Sequence, residues 1–199
     1  MYDLVCIGAS WGGLEAVGQV LSALPAEFDL PIAIAQHRHP DSQAETLAGL
    51  LQTQTQTDRP VLDVEDKMPI ESRHVYIAPP NYHLLVERGS FALSVDEHIQ
   101  FARPSIDVLF VTAADAYGTG VIGIILTGAN ADGALGLSRI KNAGGVAVIQ
   151  DPIGATRRTM PDAAIAATVA DAVLPVEEIA SFLYGLWVSP ATGAVTEAR

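Results

Sequence analysis

The 199-residue sequence has a single cysteine, Cys6, and therefore cannot form an intrachain disulfide bond. Its longest apolar runs, around residues 121–126, are far shorter than the roughly 20 apolar residues of a membrane helix. Basic residues are scarce as well: 11 lysines and arginines stand against 23 aspartates and glutamates, for a formal net charge of -12. Such an acidic chain disfavours nucleic acid and anionic membranes as partners, because both bind basic surfaces.

The N-terminus, Met-Tyr-Asp-Leu, lacks the basic region and the cleavage site of a signal peptide. With the single cysteine, this predicts a cytoplasmic protein without membrane insertion. The composition, 49% hydrophobic and 17% charged, is that of a globular protein, and we expect one domain over residues 1–188 followed by a flexible tail, 189–199. Cys6 lies within a predicted strand, so we expect it to be a buried apolar residue rather than a nucleophile.

Short apolar segments alternate with helical patterns along the chain, which is typical of βα units. The predicted fold is therefore an α/β, doubly wound, mainly parallel sheet with helices on both faces. The segment HLLVERGSFALS predicts a hairpin that turns at residues 87–89 and adds antiparallel strands to the sheet. Other strands are predicted at 2–7, 31–36, 121–126, 146–150 and 172–174.

The segment LVCIGASWGGLEAV, residues 4–17, runs from an apolar strand through a glycine-rich turn into a helical pattern. Such a turn holds a phosphate group or presents a nucleophile, here Ser10, and the turn alone leaves both uses open. The second strand ends at His37, and the loop after residues 121–126 contains Asp132. Because the carboxyl ends of parallel strands form the ligand crevice of this fold, we expect these three side chains to meet there.

A serine, a histidine and an aspartate at one sheet edge are the components of an acyl-transfer triad. Ser10 needs His37 to take its proton, and Asp132 would fix the imidazole tautomer and stabilise its charged form. Backbone amides after Ser10 would face the oxyanion. Each residue also has a structural interpretation: Ser10 as a helix N-cap, His37 as a polar strand end and Asp132 as a turn residue.

Seven segments, in order along the chain, resemble the motifs of the catalytic domain of the chemotaxis protein-glutamate methylesterases, the CheB family. The resemblance extends from about residue 2 to residue 186. It implies that Ser10 is the nucleophile, His37 the base and Asp132 the residue that orients the base. The segments are IGASWGG, the pair QH at 36–37, YIAPP, HLL, RPSIDVLF, LTGANADGA and MP.

The resemblance further implies hydrolysis of glutamyl methyl esters, with glutamine deamidation as a second activity, on a methylated chemoreceptor or a related signalling protein. It implies no cofactor and no metal, and it leaves the oligomeric state open. Trp11 and Ala129 fall at the positions of the oxyanion hole. Both depart from the best-known members, which carry a small polar residue and a methionine there.

Three other functions compete with this interpretation. A dinucleotide-binding reductase would need an acidic residue at the end of the second strand and a Tyr-x-x-x-Lys pair, and the chain has neither. A metal hydrolase could use His37, His39 and Asp41, which alternate in HRHPD. A non-catalytic docking or regulatory module of the same fold is the third alternative, which the departures at Trp11 and Ala129 leave open.

Overall fold

The computed structural model describes residues 1–37, 47–55 and 58–189. The predicted tail, apart from its first residue, lies outside these ranges. No helix in the described ranges is both long and apolar enough to cross a membrane. The elements are β1 Leu4–Ala9, α1 Gly13–Ala23, β2 Ile32–Gln36, α2 Leu47–Thr55, β3 Val61–Asp63, β4 Val75–Ile77, β5 His83–Glu87, β6 Ser90–Ser94, α3 Ile106–Tyr117, β7 Val121–Ile125, α4 Ala134–Asn142, β8 Val146–Gln150, α5 Thr159–Ala167, β9 Ala172–Leu174 and α6 Val176–Val188.

Seven strands form one parallel sheet in the order β3-β4-β2-β1-β7-β8-β9. The central strand β1 pairs with β2 on one side and with β7 on the other. At its carboxyl end Ala9 is opposite Gln36, and Gly8 is opposite Ile125. The loops that follow β2, β1 and β7 therefore leave the sheet side by side, at the point where the direction of winding reverses. In folds of this kind that point is the usual ligand crevice.

Helices cover both faces of the sheet, as predicted. Alternate residues of β1 point to opposite sides: Val5 and Ile7 pack in the core beneath α1, α2 and α6, whereas Leu4 and Cys6 pack beneath α3, α4 and α5. Cys6 is fully buried, and burial raises the pKa of its thiol well above the ordinary value. The expectation that this cysteine is a packing residue is confirmed, because a buried neutral thiol is a poor nucleophile.

The hairpin is antiparallel as predicted, but its predicted place in the main sheet is wrong. Strands β5 and β6 form a separate two-stranded sheet and pack against α3, where the N–H of Val86 donates to Thr112 Oγ1 at 3.0 Å. The reason lies in β3, a three-residue strand that the sequence did not reveal. It pairs with β4 on the side away from β2, so both edges of β4 are occupied when the hairpin begins.

Gly8 lies where β1 passes closest to α3. A Cβ atom at this position would lie 2.3 Å from Ile106 Cγ2, so we expect Gly8→Ala to lower the free energy of unfolding by roughly 1–3 kcal/mol through overpacking. Gly18→Ala is the matched control: no atom lies within 4 Å of its Cβ position in α1, and the helical preference of alanine should add about 0.5–1 kcal/mol. Urea denaturation measures the free energy of unfolding of both variants. Equal changes in the two would contradict the close contact between Gly8 and Ile106.

Candidate active site

Ser10 is the first residue after β1, and neighbouring elements hold its backbone in place. Its N–H donates to the carbonyl of Thr127 at 2.9 Å, and its own carbonyl accepts from Gln36 Nε2 at 2.7 Å and from the N–H of Gly13 at 2.9 Å. Its hydroxyl makes no hydrogen bond to any residue that the structure describes. The side chain thus lies on a rigid backbone with its oxygen available.

Gly12, not Ser10, is the N-cap of α1. Its φ of 78° is in the left-handed region that favours glycine, and a Cβ there would lie 2.7 Å from Thr156 Oγ1. The interpretation of Ser10 as a helix cap is therefore wrong. The glycine-rich turn serves to bring the chain from β1 into α1 while Ser10 stays at the strand end.

His37 follows β2 directly, and its N–H donates to the carbonyl of Ala9 at 2.9 Å, so it leaves the sheet beside Ser10. The imidazole is 12% exposed, and its Nε2 lies 2.7 Å from Asp132 Oδ2. A carboxylate can only accept a hydrogen bond, so this contact places the ring proton on Nε2. The lone pair of a neutral His37 is then on Nδ1.

The carboxylate of Asp132 is fully buried and accepts several hydrogen bonds besides that of His37. Ser105 Oγ and the N–H of Asp107 donate to Oδ1 at 2.9 and 3.0 Å, and the N–H of Ile106 donates to Oδ2 at 2.7 Å. These donors belong to the first turn of α3, where the helix dipole also favours a negative charge. The interpretation of Asp132 as a mere turn residue does not account for these contacts.

The pKa of Asp132 reflects two opposing effects. Burial by itself raises it, but the hydrogen bond with His37 and those from the N–H groups of Ile106 and Asp107 outweigh burial and hold the pKa below the ordinary value. Asp107 shows the opposite balance: burial, with the nearby charge of Asp132, raises its pKa. The lowered pKa favours the ionised form of Asp132, which makes it the natural partner of an imidazolium.

Two residues that sequence reasoning did not assign to the site support Asp132. Ser105 donates to it directly, and His83 holds Ser105, because His83 Nδ1 accepts from the N–H of Ser105 at 3.1 Å. The serine before the helical pattern of RPSIDVLF is a recognisable N-cap signal. That signal predicts the start of α3 but not its contact with a loop 27 residues further along the chain.

Asn130 is a third such residue and contacts both members of the His-Asp pair. Its Nδ2 lies 3.4 Å from Nδ1 of His37, and its Oδ1 accepts from the N–H of Asp132 at 3.3 Å. The Asn130 amide thus donates a hydrogen bond to Nδ1, the nitrogen of His37 that faces away from Asp132. In this resting arrangement the lone pair that could accept a proton is already hydrogen-bonded.

Trp11 and Ala129, predicted for the oxyanion hole, lie in the loops after β1 and β7. In the described part of the chain, the N–H of neither residue has a hydrogen-bond acceptor, and both residues are exposed. The carbonyl of Trp11 is engaged by Thr127 Oγ1 at 2.9 Å. Both N–H groups are consequently available to an anion near Ser10.

A cavity of about 200 Å³ opens beside His37. His37 and Asn130 form one wall, and residues of the segment 98–104 form the other. A larger cavity of about 630 Å³ is lined by residues of α1 and α2 and by Glu177 of α6; its described lining includes Glu15 but no histidine. The smaller cavity is the better candidate for a substrate side chain because it borders His37, which leaves the sheet beside Ser10.

The metal-site hypothesis falls largely on undescribed residues. His39 and Asp41 lie in the segment 38–46, outside the described ranges. Among the residues that are described, no group of three or more histidines, cysteines, aspartates or glutamates is arranged to hold a metal ion. His37 itself is engaged by Asp132 and Asn130.

Comparisons with known proteins agree on one family. The model of the CheB methylesterase domain matches residues 5–183. A putative protein-glutamate methylesterase/protein-glutamine glutaminase of Leptospira interrogans is 46% identical over 186 residues, which cover 93% of this chain and 95% of that protein. The protein-glutamate methylesterase FrzG of Myxococcus xanthus is 39% identical over 92% of this chain, which spans only 54% of FrzG.

A solved structure shows the same fold. The crystal structure of the Thermotoga maritima CheB methylesterase catalytic domain superposes with a TM-score of 0.86 at 32% sequence identity. The match covers 94% of this chain and 99% of that chain. The predicted fold class is thereby confirmed at the level of the whole domain.

Proposed function

The chain belongs to the CheB methylesterase family of carboxylic ester hydrolases, and from this premise we propose that it hydrolyses glutamyl methyl esters of a protein substrate with Ser10, His37 and Asp132 as the catalytic residues. The observation that carries the proposal is the 2.7 Å contact between His37 Nε2 and the buried carboxylate of Asp132, whose pKa is lowered. One strand away lies Ser10, whose hydroxyl makes no hydrogen bond to the described residues. This combination supports acyl transfer through an activated serine.

In the first half of the reaction, Ser10 Oγ attacks the ester carbonyl carbon, and His37 takes the hydroxyl proton on Nδ1. Asn130 must release that nitrogen when the substrate brings Ser10 and the base together. Such hydrogen bonds are often formed only in the complex with substrate. The tetrahedral intermediate collapses when the carbon–methoxide bond breaks, and His37 returns the proton to methoxide, which leaves as methanol.

In the second half, water attacks the glutamyl ester of Ser10, and His37 accepts the proton of the water molecule. The ester bond to Ser10 breaks, and His37 protonates the serine oxygen. The carboxylic acid that forms loses its remaining proton to water and is released as glutamate. A glutamine side chain would follow the same route, with ammonia as the first leaving group. Asp132 stabilises the imidazolium in both halves and does not itself take the proton.

The N–H groups of Trp11 and Ala129 would donate to the oxyanion. Backbone donors suit this role because their positions are fixed by the fold and require no reorganisation during the reaction. The departures from the best-known members at these two positions concern side chains, so the amides remain usable. The size of Trp11 would then affect substrate choice rather than oxyanion stabilisation.

We further propose that residues 1–188 form the catalytic domain, that the substrate is a methylated chemoreceptor or a related signalling protein, and that the reaction takes place in the cytoplasm. The match of the family model to residues 5–183 supports the first point, and the names of the relatives support a protein substrate by describing action on protein glutamate. No step of the proposed reaction uses a metal or a cofactor.

Methanol release tests the proposed function. The purified protein, incubated with a receptor or a peptide that carries glutamyl [methyl-³H] esters, should release labelled methanol at a rate proportional to enzyme concentration. EDTA should leave the rate unchanged, because the triad supplies both the nucleophile and the base. Loss of activity with EDTA and its return with zinc would favour the site at His37, His39 and Asp41, and no release at all would favour a docking module.

A further inference from the structure

The guanidinium of Arg157 lies over the ring of Trp11, the residue next to the nucleophile. The distance from Arg157 Cζ to the ring centroid is 5.5 Å, within the range of a cation–π interaction. Both residues are exposed, and 63% of the surface of Trp11 faces solvent. The catalytic steps proposed above use the backbone of Trp11 and leave this side-chain pair without a role.

Arg157 forms no ion pair with an acidic residue among the described residues, although the chain carries a net charge of -12. Its neighbour Arg158 forms an ion pair with Asp162 at 2.6 Å. Arg139 and Lys141 are likewise paired with aspartates. In the described part of the chain, the guanidinium of Arg157 contacts an aromatic face and no carboxylate. Its N–H donors can therefore bind an external carboxylate.

The position of this pair relative to Ser10 is fixed by Thr127. The carbonyl of Thr127 accepts from the N–H of Ser10, and its hydroxyl lies 2.9 Å from the carbonyl of Trp11. The same hydroxyl accepts from the N–H of Arg157 at 2.8 Å, and the N–H of Gly128 donates to the carbonyl of Arg157 at 3.0 Å. Hydrogen bonds to Thr127 and Gly128 therefore hold together the loops that carry Ser10, Trp11 and Arg157.

The strand order places this pair on the opposite side of Ser10 from the base. His37 follows β2, Ser10 follows β1, and the loop with Arg157 follows β8, so that the order β2-β1-β7-β8 puts Ser10 between them. A substrate segment whose ester group lies at Ser10 and His37 can thus extend over Trp11 towards Arg157.

We propose that Trp11 and Arg157 form a subsite for a carboxylate side chain next to the glutamyl methyl ester, so that the enzyme prefers acidic substrate segments. This inference rests on the proposed function and names the substrate chemistry of the same site. Trp11 offers an apolar face to the aliphatic stem of the acidic residue, and Arg157 binds its carboxylate. Hydrolysis of one ester in a segment with several would create such a carboxylate beside the next.

Two peptides that differ only at the residues flanking one glutamyl methyl ester, glutamate in one and glutamine in the other, test the subsite. We expect the wild-type protein to show a kcat/KM for the acidic peptide that is higher by roughly five- to tenfold, the effect of one charge-assisted contact. The preference should arise from a lower KM. Arg157→Gln should abolish this preference, and Arg157→Lys should retain part of it because the charge remains. Arg158→Gln is the matched control and should keep the full preference.

The second variant, Trp11→Ala, should also reduce the preference, because it removes the surface on which Arg157 rests while leaving the backbone in place. Added salt should weaken the preference of the wild-type protein. The subsite proposal would be wrong if the wild-type protein had equal kcat/KM values for the two peptides. It would also be wrong if Arg157→Gln and Arg158→Gln reduced the preference for the acidic peptide equally. Neither result would count against ester hydrolysis itself. Failure to hydrolyse either peptide would instead count against the proposed function.

Discussion

Ser10→Ala is expected to lower the rate of methanol release by roughly 10⁴- to 10⁶-fold, the loss seen when the nucleophile of a serine hydrolase is removed. The hydroxyl of Ser10 makes no hydrogen bond to the described residues, and Gly12 rather than Ser10 caps α1. The free energy of unfolding should therefore stay within about 0.5 kcal/mol of the wild-type value. Methanol release and urea denaturation measure the two quantities.

The matched control for this variant is Ser22→Ala, which removes an exposed serine hydroxyl from α1. Its rate should equal that of the wild-type protein. If Ser10→Ala keeps substantial activity while remaining folded, the nucleophile is another group. If both variants lose activity equally, the loss does not arise from the chemistry of Ser10.

Asp132→Asn is expected to lower turnover by about 10³- to 10⁴-fold, because the amide can present a donor to His37 and favour the wrong imidazole tautomer. The contacts of Asp132 also predict a loss of stability, which the sequence did not indicate. An amide N–H₂ would face some of the donors from Ser105, Ile106 and Asp107, at a cost of roughly 1–3 kcal/mol. Rates should therefore be measured well below the unfolding temperature of the variant.

The pH dependence of stability separates the electrostatic role of Asp132 from loss of shape. Its folded-state pKa is lowered, so the ionised carboxylate stabilises the fold above the unfolded-state pKa of about 4, and this contribution is lost as pH falls through the folded-state value. The Asp132→Asn variant should lack that part of the acid sensitivity. If Asp132→Asn kept a turnover within about fivefold of the wild-type value, another carboxylate would have to be the partner of His37.

The sequence was sufficient to predict how the proposed catalytic side chains converge. Strands β8 and β9 have the predicted bounds, and the continuous apolar character of β1, β2 and β7 reflects burial on both faces of a parallel sheet. Once these strands are adjacent, Ser10, His37 and Asp132 must lie at one edge. This inference needed only strand identity and the rule that βα loops share the carboxyl edge.

The parts that the sequence did not reveal depend on backbone groups or on long-range contacts. The donors to Asp132 include the backbone N–H groups of Ile106 and Asp107, which every residue type except proline would supply. The contact of Arg157 with Trp11 joins two loops that are far apart along the sequence. The separation of the hairpin from the main sheet depended on β3, a strand of three residues that is too short to show a reliable apolar pattern.

The central claim, that Ser10 attacks the ester, is tested most directly by trapping the acyl-enzyme. The protein is mixed with an excess of a peptide that carries a glutamyl methyl ester, quenched in acid during turnover, digested and examined by mass spectrometry. The account predicts that the fragment containing Ser10 gains the mass of the substrate minus methanol, and that this adduct is absent from Ser10→Ala. An adduct on another residue, or methanol release by the Ser10→Ala protein at the wild-type rate, would contradict it.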